Sequence, residues 1–273
     1  AISSEATVML DTDSGSIIDS ADDAVADITA GGTITLNATA DISGPGTDGR
    51  LDIAAGNTVD ASSETSGDIS LRGVGALTLL DVDTANGSID VLAGGTMTAT
   101  AVDAGETTGA TIAYVVLATT AGNIDIGSIS AADAVNITSA ATIDDDNTDT
   151  TTDITAGTTI TLSAGTGVGT TQVVEVAAAS DLTADVIGSG DLLVDGKGAL
   201  TLTDIDTTDG TITINAAGQI NAVAVDSLDG AATATDSVSL YTTTGDIVVG
   251  SISSEATVMV DTDSGSIVDS ADD

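Results

Sequence analysis

The sequence predicts an all-β fold, a right-handed parallel β-solenoid (β-helix) of tandem repeats. Three observations predict it: repetition at two nested periods, short Gly-opened segments that alternate apolar and polar residues, and a core composition almost without large aromatics.

Repetition comes first because it sets the organisation of the chain. Residues 1–23 (AISSEATVMLDTDSGSIIDSADD) return as residues 251–273 (SISSEATVMVDTDSGSIVDSADD) with three of 23 positions changed, which gives a long period of 250 residues. A half-period lies inside it. The segment GALTLLDVDTANGSIDV from Gly75 matches GALTLTDIDTTDGTITI from Gly198 at an offset of 123, and AGNIDIGSIS from Ala121 matches TGDIVVGSIS from Thr244 at the same offset. Nearer the start, DITAGGTITL from Asp27 matches DITAGTTITL from Asp153 at an offset of 126, so a three-residue indel lies between Leu36 and Gly75. The chain therefore divides into repeat units 1–127 and 128–250, followed by 251–273 as the start of a third. A self-contained domain would not stop partway into its next copy, so a longer protein is expected, with export and anchoring signals outside this stretch.

Within each unit Gly opens a run of alternation: Gly32-Thr33-Ile34-Thr35-Leu36, Gly67-Asp68-Ile69-Ser70-Leu71, Gly87-Ser88-Ile89-Asp90-Val91 and Gly210-Thr211-Ile212-Thr213-Ile214. Period-two alternation over four or five residues predicts short strands with one buried face. Helix formers such as Glu, Lys, Arg and Gln are scarce, while β-branched residues abound. Strands this short bury enough surface only when successive coils stack in register. With coils of roughly 20 residues, a 123-residue unit holds about six of them.

The core composition agrees. The chain has no Cys, His, Trp or Phe, two Tyr and one Pro, so Ile, Val, Leu and Ala must fill a thin, layered interior. A string of β-sandwich (Ig-like) modules is the alternative, because a period near 125 residues also suits it. Such modules normally carry a core Trp or Tyr and several Pro-marked turns, and a chain with no Trp, two Tyr and one Pro favours the solenoid.

The charge bounds the partners. With 43 acidic residues against Arg50, Arg72 and Lys197, the formal charge is −40. This excludes nucleic acid and anionic membranes as partners, and an apolar content of 41% argues against disorder. The N-terminus has no basic n-region or apolar h-region, and no uncharged apolar run is long enough to cross a bilayer. Charge and repetition together point to an extracellular, secreted or cell-surface location.

The Gly-x-Ile-x-Leu and Gly-x-Ile-x-Val segments, with their Ala-Gly-Gly, Thr-Ala-Gly and Thr-Thr-Gly corners, resemble the repeat regions of filamentous haemagglutinin-like bacterial adhesins. Thr119 to Ala140 and Ala93 to Gly105 carry the resemblance best. It implies a parallel β-helix shaft, secretion, and a role in adhesion or surface structure. The acidity departs from that family, in which more Lys, Asn and Gln would be expected.

Four groups have calcium-like spacing: Asp81-x-Asp83-x-x-Asn86, Asp204-x-Asp206-x-x-Asp209, Asp11-x-Asp13 and its copy Asp261-x-Asp263. Carboxylates at alternate positions before a Gly turn can supply three or four of the six to eight oxygens that calcium takes. The same residues also suit the outward half of a strand that ends in a turn, and both readings stand at this level. A further cluster repeats at an offset of 126, where Asp19, Asp23 and Asp27 match Asp145, Asp149 and Asp153, with Asp144 and Asp146 added. A cation-binding loop and a solvated acidic bulge satisfy it equally. Calcium is thus the one cofactor the sequence suggests.

Catalysis has little to work with. Without His or Cys the chain offers carboxylate pairs or a Ser or Thr nucleophile lacking an imidazole base. At the 123 offset, Arg50, Arg72 and Lys197 align with Val173, Asp195 and Val74, so no basic residue recurs from unit to unit as a repeated active site would require. The expectation is a non-enzymatic structural segment of a giant secreted protein: an extracellular filament, sheath, stalk or adhesin shaft whose partners are neighbouring repeats. The alternative is a calcium-dependent adhesive module engaging a surface receptor or glycan.

Overall fold

The computed structural model describes residues 1–270 except 22, 24, 47–48, 55, 106–111, 179–180 and 228–235, so 271–273 of the third-copy segment lie outside the described residues. Every regular element among the described residues is a β-strand. The chain forms two compact units, Ala1–Ala140 and Ala141–Asp273.

The Gly-opened segments are strands, and the alternation read from the sequence is their burial pattern. In Ile34–Ala38, Ile69–Gly73 and Ile89–Ala93 of the first unit, the first, third and fifth residues are buried. Ile212–Ala216 of the second unit does the same. Within each unit the strands pair parallel with strands from the next turn, residue type on residue type. In the first unit Ile69, Ile89, Val115 and Val135 form one ladder, and Leu71, Val91, Leu117 and Ile137 form the ladder beside it. In the second unit Leu192, Ile212, Val238 and Val258 stack likewise. Parallel strands that pair only with the preceding and following turn make a β-solenoid. Each fully buried Ile, Leu or Val in such a ladder contributes roughly 1.5–3 kcal/mol, which lets a chain without Trp or Phe hold a core.

The turn lengths repeat as well. Leu77 pairs with Met97, 20 residues on, and Met97 with Ile124, 27 residues on. Leu200, Ile220 and Ile247 are spaced identically in the second unit. Leu77, Ile124, Leu200 and Ile247 are all buried, so the half-period carries equivalent core positions.

Many strands are longer than the four or five residues of simple alternation. Leu77–Thr84 buries Leu79 and Val82 but exposes both Leu80 and Asp81 between them, and Leu200–Asp209 treats Thr203 and Asp204 the same way. Two outward residues in succession bend the strand and restore the inward face beyond the bend.

The corners explain the glycines. A Cβ on Gly87 would lie 2.1 Å from the Gly67 carbonyl oxygen, and one on Gly210 would lie 1.9 Å from that of Gly190. Successive turns pass too closely there for any side chain. The preceding Thr closes the corner: the Thr84 hydroxyl donates to the Gly87 carbonyl at 2.7 Å, and Thr207 donates to Gly210 at 2.7 Å. The residue after Gly joins one turn to the next. Asp68 Oδ1 accepts the Ser88 N–H at 2.8 Å, Asp191 accepts that of Thr211 at 2.9 Å, and Asp246 accepts that of Ser266 at 2.8 Å. Part of the acidity is therefore a backbone-capping device between turns. No helix among the described residues is long and apolar enough to cross a membrane.

Candidate functional site

The residues with calcium-like spacing lie on strands and at strand ends. Asp81 and Asp83 are inside Leu77–Thr84, and Asp204, Asp206 and Asp209 are inside Leu200–Asp209. The Asn86 amide donates to the Thr65 carbonyl at 2.9 Å. Asp11 ends the strand Val8–Asp11 and Asp261 lies in Val258–Thr262, both exposed. Asp13 is exposed, and its copy Asp263 accepts the Tyr241 hydroxyl at 2.6 Å.

Register stacks some of these residues across turns. Asp83 faces Ser62 on one side and Asp103 on the other, and the Ser62 hydroxyl donates to it at 3.0 Å. The equivalent Asp206 faces two carboxylates, Asp185 and Asp226. Burial, followed by Asp204, Asp226 and Asp185, pushes Asp206 up to about 6. Burial also raises Asp83, but the Ser62 hydrogen bond works against the shift.

The repeated acidic positions gather elsewhere, with a third partner from the next turn. In the second unit Asp145 ends the strand Thr142–Asp145, Asp153 immediately precedes Ile154–Ala156, and Glu175 lies within Val174–Ala178. Asp153 and Glu175 are cross-turn neighbours: the Asp153 N–H donates to the Glu175 carbonyl at 2.9 Å, and the Glu175 N–H donates to Asp153 Oδ2 at 2.7 Å. The loop from Asp145 to Asp153 brings Asp145 onto the pair, so one oxygen from each of the three residues lies within 4.8 Å of the others. Asp145, Asp153 and Glu175 are 5%, 1% and 4% exposed.

The first unit builds the same arrangement from Asp19, Asp27 and Asp52, again within 4.8 Å. The Asp27 N–H donates to the Asp52 carbonyl at 2.9 Å, the counterpart of the Asp153–Glu175 bond. Asp52, completely buried, receives a guanidinium fork, with Arg72 Nε on Oδ1 at 2.5 Å and Nη2 on Oδ2 at 2.7 Å. A third Arg72 hydrogen bond holds the Asp23 carbonyl.

The counter-charge of the second cluster is weaker. Lys197 Nζ lies 2.6 Å from Asp195 and 3.6 Å from Glu175 Oε1. Asp153 Oδ1 and Glu175 Oε2 are buried without a hydrogen-bond partner, as are Asp19 Oδ2 and Asp27 Oδ2 in the first unit. Burial pushes Asp153 up to about 8, with Asp145 and Glu175 acting in the same direction against the Glu175 N–H. Burial likewise raises Asp145 and Glu175. Burial acts to lower Lys197, but Asp195 and Glu175 raise it on balance. In the first unit burial and then Asp19 raise Asp27. A surface recess of about 280 Å³ opens at the second cluster, bordered by Asp145, Asp149, Gln172, Glu175 and Asp195.

The other members of the repeated acidic segment serve local structure. Asp23 caps the Val25 N–H at 2.9 Å, Asp149 caps that of Thr151 at 2.5 Å, and buried Asp144 caps that of Thr171 at 2.8 Å. Sequence reasoning located Asp19, Asp27, Asp145 and Asp153 and missed Asp52 and Glu175. The available signal was an acidic residue at both positions, at the offset of 123 that holds beyond the indel. Three converging carboxylates without imidazole or thiol have the chemistry to hold a hard cation or to share a proton. Compared with protein-family models, curated proteins and solved structures, the chain matches none of them.

Proposed function

We propose that this chain is a structural repeat segment of a large secreted surface protein of the filamentous haemagglutinin-like kind, part of an extracellular filament, sheath, stalk or adhesin shaft. One observation carries the reading: the core residues of one turn are covered by the matching residues of the next. Val8 and Ile17 pair with Ile34 and Ile42 and are 6% and 9% exposed, and the ladders Ile69, Ile89, Val115, Val135 and Leu192, Ile212, Val238 repeat the arrangement in the two units. The repeated sequence is thus made to be stacked upon, and neighbouring repeats are its natural partners. The charge of −40 keeps such an assembly apart from its own kind and from anionic surfaces. Antibodies raised against the chain should label intact source cells as strongly as permeabilised ones. Labelling that requires permeabilisation overturns the reading.

The acidic recess at Asp145 and Glu175 favours a second reading, a calcium-dependent adhesive module for a surface glycan or receptor. Binding to a glycan array in calcium that disappears in chelator would support it. Silence in both conditions leaves the shaft.

A further inference from the structure

We propose that Asp145, Asp153 and Glu175 bind one divalent cation of the calcium class, and that Arg72 fills the equivalent role in the first unit. The inference stands independently of the shaft reading.

Charge is the first argument. Three carboxylates more than nine-tenths buried share only Lys197, which sits closer to Asp195 than to any of them. Burying a charge without a partner is costly, and the cost falls only if the group is neutralised or paired. Geometry is the second. Asp153 Oδ1 and Glu175 Oε2 have no hydrogen-bond partner, and they belong to residues whose ligand oxygens converge within 4.8 Å. Calcium binds oxygen at about 2.3–2.6 Å, so oxygens up to twice that distance apart can share one ion, with water and carbonyls completing the six to eight ligands. The recess lined by Asp149 and Asp195 gives the ion an acidic path from solvent.

The comparison within the molecule is the third argument and the strongest. The residue equivalent to Arg72 in the second unit is Asp195, so the position that supplies a cation to one cluster supplies a carboxylate to the other. Lys197, at the place of Val74, restores one positive charge without forking onto Glu175. The second cluster therefore holds one carboxylate more than the first for a single basic side chain. A positive charge from solution would balance it.

The test uses the full 273-residue chain with Ca²⁺ as the only added ligand, in about 0.15 M monovalent salt to screen weak surface binding. Equilibrium dialysis should find one tight Ca²⁺ per chain, with a melting temperature higher in calcium than in chelator. Asp153→Asn and Glu175→Gln should each weaken that site at least about tenfold by removing a charged ligand, whereas Asp27→Asn in the first unit should leave it intact. Asp153→Asn also removes a buried like charge, so it should melt no lower than wild type in chelator, which separates loss of the site from loss of the fold. Wild type without tight Ca²⁺, or Asp153→Asn and Glu175→Gln variants that bind as wild type does, would overturn the proposal and leave a proton shared between Asp153 and Glu175. Loss of the tight ion in Asp27→Asn with retention in Asp153→Asn would also overturn it.

Discussion

The two buried acidic clusters occupy the same backbone addresses and solve the same electrostatic problem differently. In the first unit an internal cation does it: Arg72 locks onto Asp52 with two hydrogen bonds and ties the Asp23 carbonyl to the same guanidinium. In the second unit the equivalent of Arg72 is acidic, and Lys197 is shared between Asp195 at 2.6 Å and Glu175 at 3.6 Å. A repeat protein duplicates its backbone hydrogen bonds with its sequence, but its charge balance is free to diverge once each copy has its own neighbours. The lesson is that equivalent burial does not imply equivalent chemistry.

The largest effect expected from breaking this comparison is at Arg72. Arg72→Met leaves Asp52 completely buried and without its counter-ion, a change that typically costs about 3–5 kcal/mol. Lys197→Met should cost much less, about 1 kcal/mol, because its bond to Glu175 is long at 3.6 Å and Asp195 can turn to solvent. Denaturant unfolding of the two variants in chelator measures both. Equal losses would mean that Lys197 balances its cluster as fully as Arg72 does.

What the sequence made legible follows from the same distinction. Gly-opened alternation along one stretch of chain depends on neighbours two residues apart, so the strands, their inward faces and the half-period could be read directly. Asp19, Asp27, Asp145 and Asp153 were legible because they recur at one offset, 126, with their spacing unchanged in both copies. Asp52 and Glu175 were not, because they join the clusters from another turn and that meeting depends on register, not on local pattern. Asp81 and Asp204 open the calcium-like spacings because a second carboxylate follows two residues on, ahead of Gly87 and Gly210, and both sit where the alternation breaks, at Leu80-Asp81 and Thr203-Asp204. The strands bend there and continue to Thr84 and Asp209.

A smaller effect should show where the units do not differ. Gly87→Ala and Gly210→Ala each drive a methyl to about 2 Å from a carbonyl oxygen of the preceding turn, at 2.1 and 1.9 Å. Overpacking of this kind costs about 1–3 kcal/mol, and the two losses should agree. Thermal melting of both variants sharpens the comparison by showing that the units share one backbone stability. Unequal losses would place part of the difference between the units in packing as well as in charge.

The smallest effect concerns the outer ladders, where the divergence between units is one residue. Ser62 donates to Asp83 in the first unit, but its equivalent in the second is Asp185, which faces Asp206 as a like charge. Like charges directly opposite on a sheet destabilise it; burial first, and then the charges of Asp204, Asp226 and Asp185, hold a proton on Asp206 up to about pH 6, above the ordinary 3.8. A carboxyl raised in this direction contributes stability that is fully present below its unfolded value and is lost as pH rises through its folded one. Asp206→Asn should therefore match wild type below about pH 4 and exceed it above pH 6, by about 1 kcal/mol because the side chain is only partly buried. Asp83→Asn should gain less, since it also turns the charge-assisted bond from Ser62 into a weaker neutral one. Urea unfolding of the three proteins between pH 3.5 and 8 reads the difference. A gain for Asp83→Asn equal to that for Asp206→Asn would show that the exchange of Ser62 for Asp185 carries no energetic weight, confining the divergence between the units to the buried clusters.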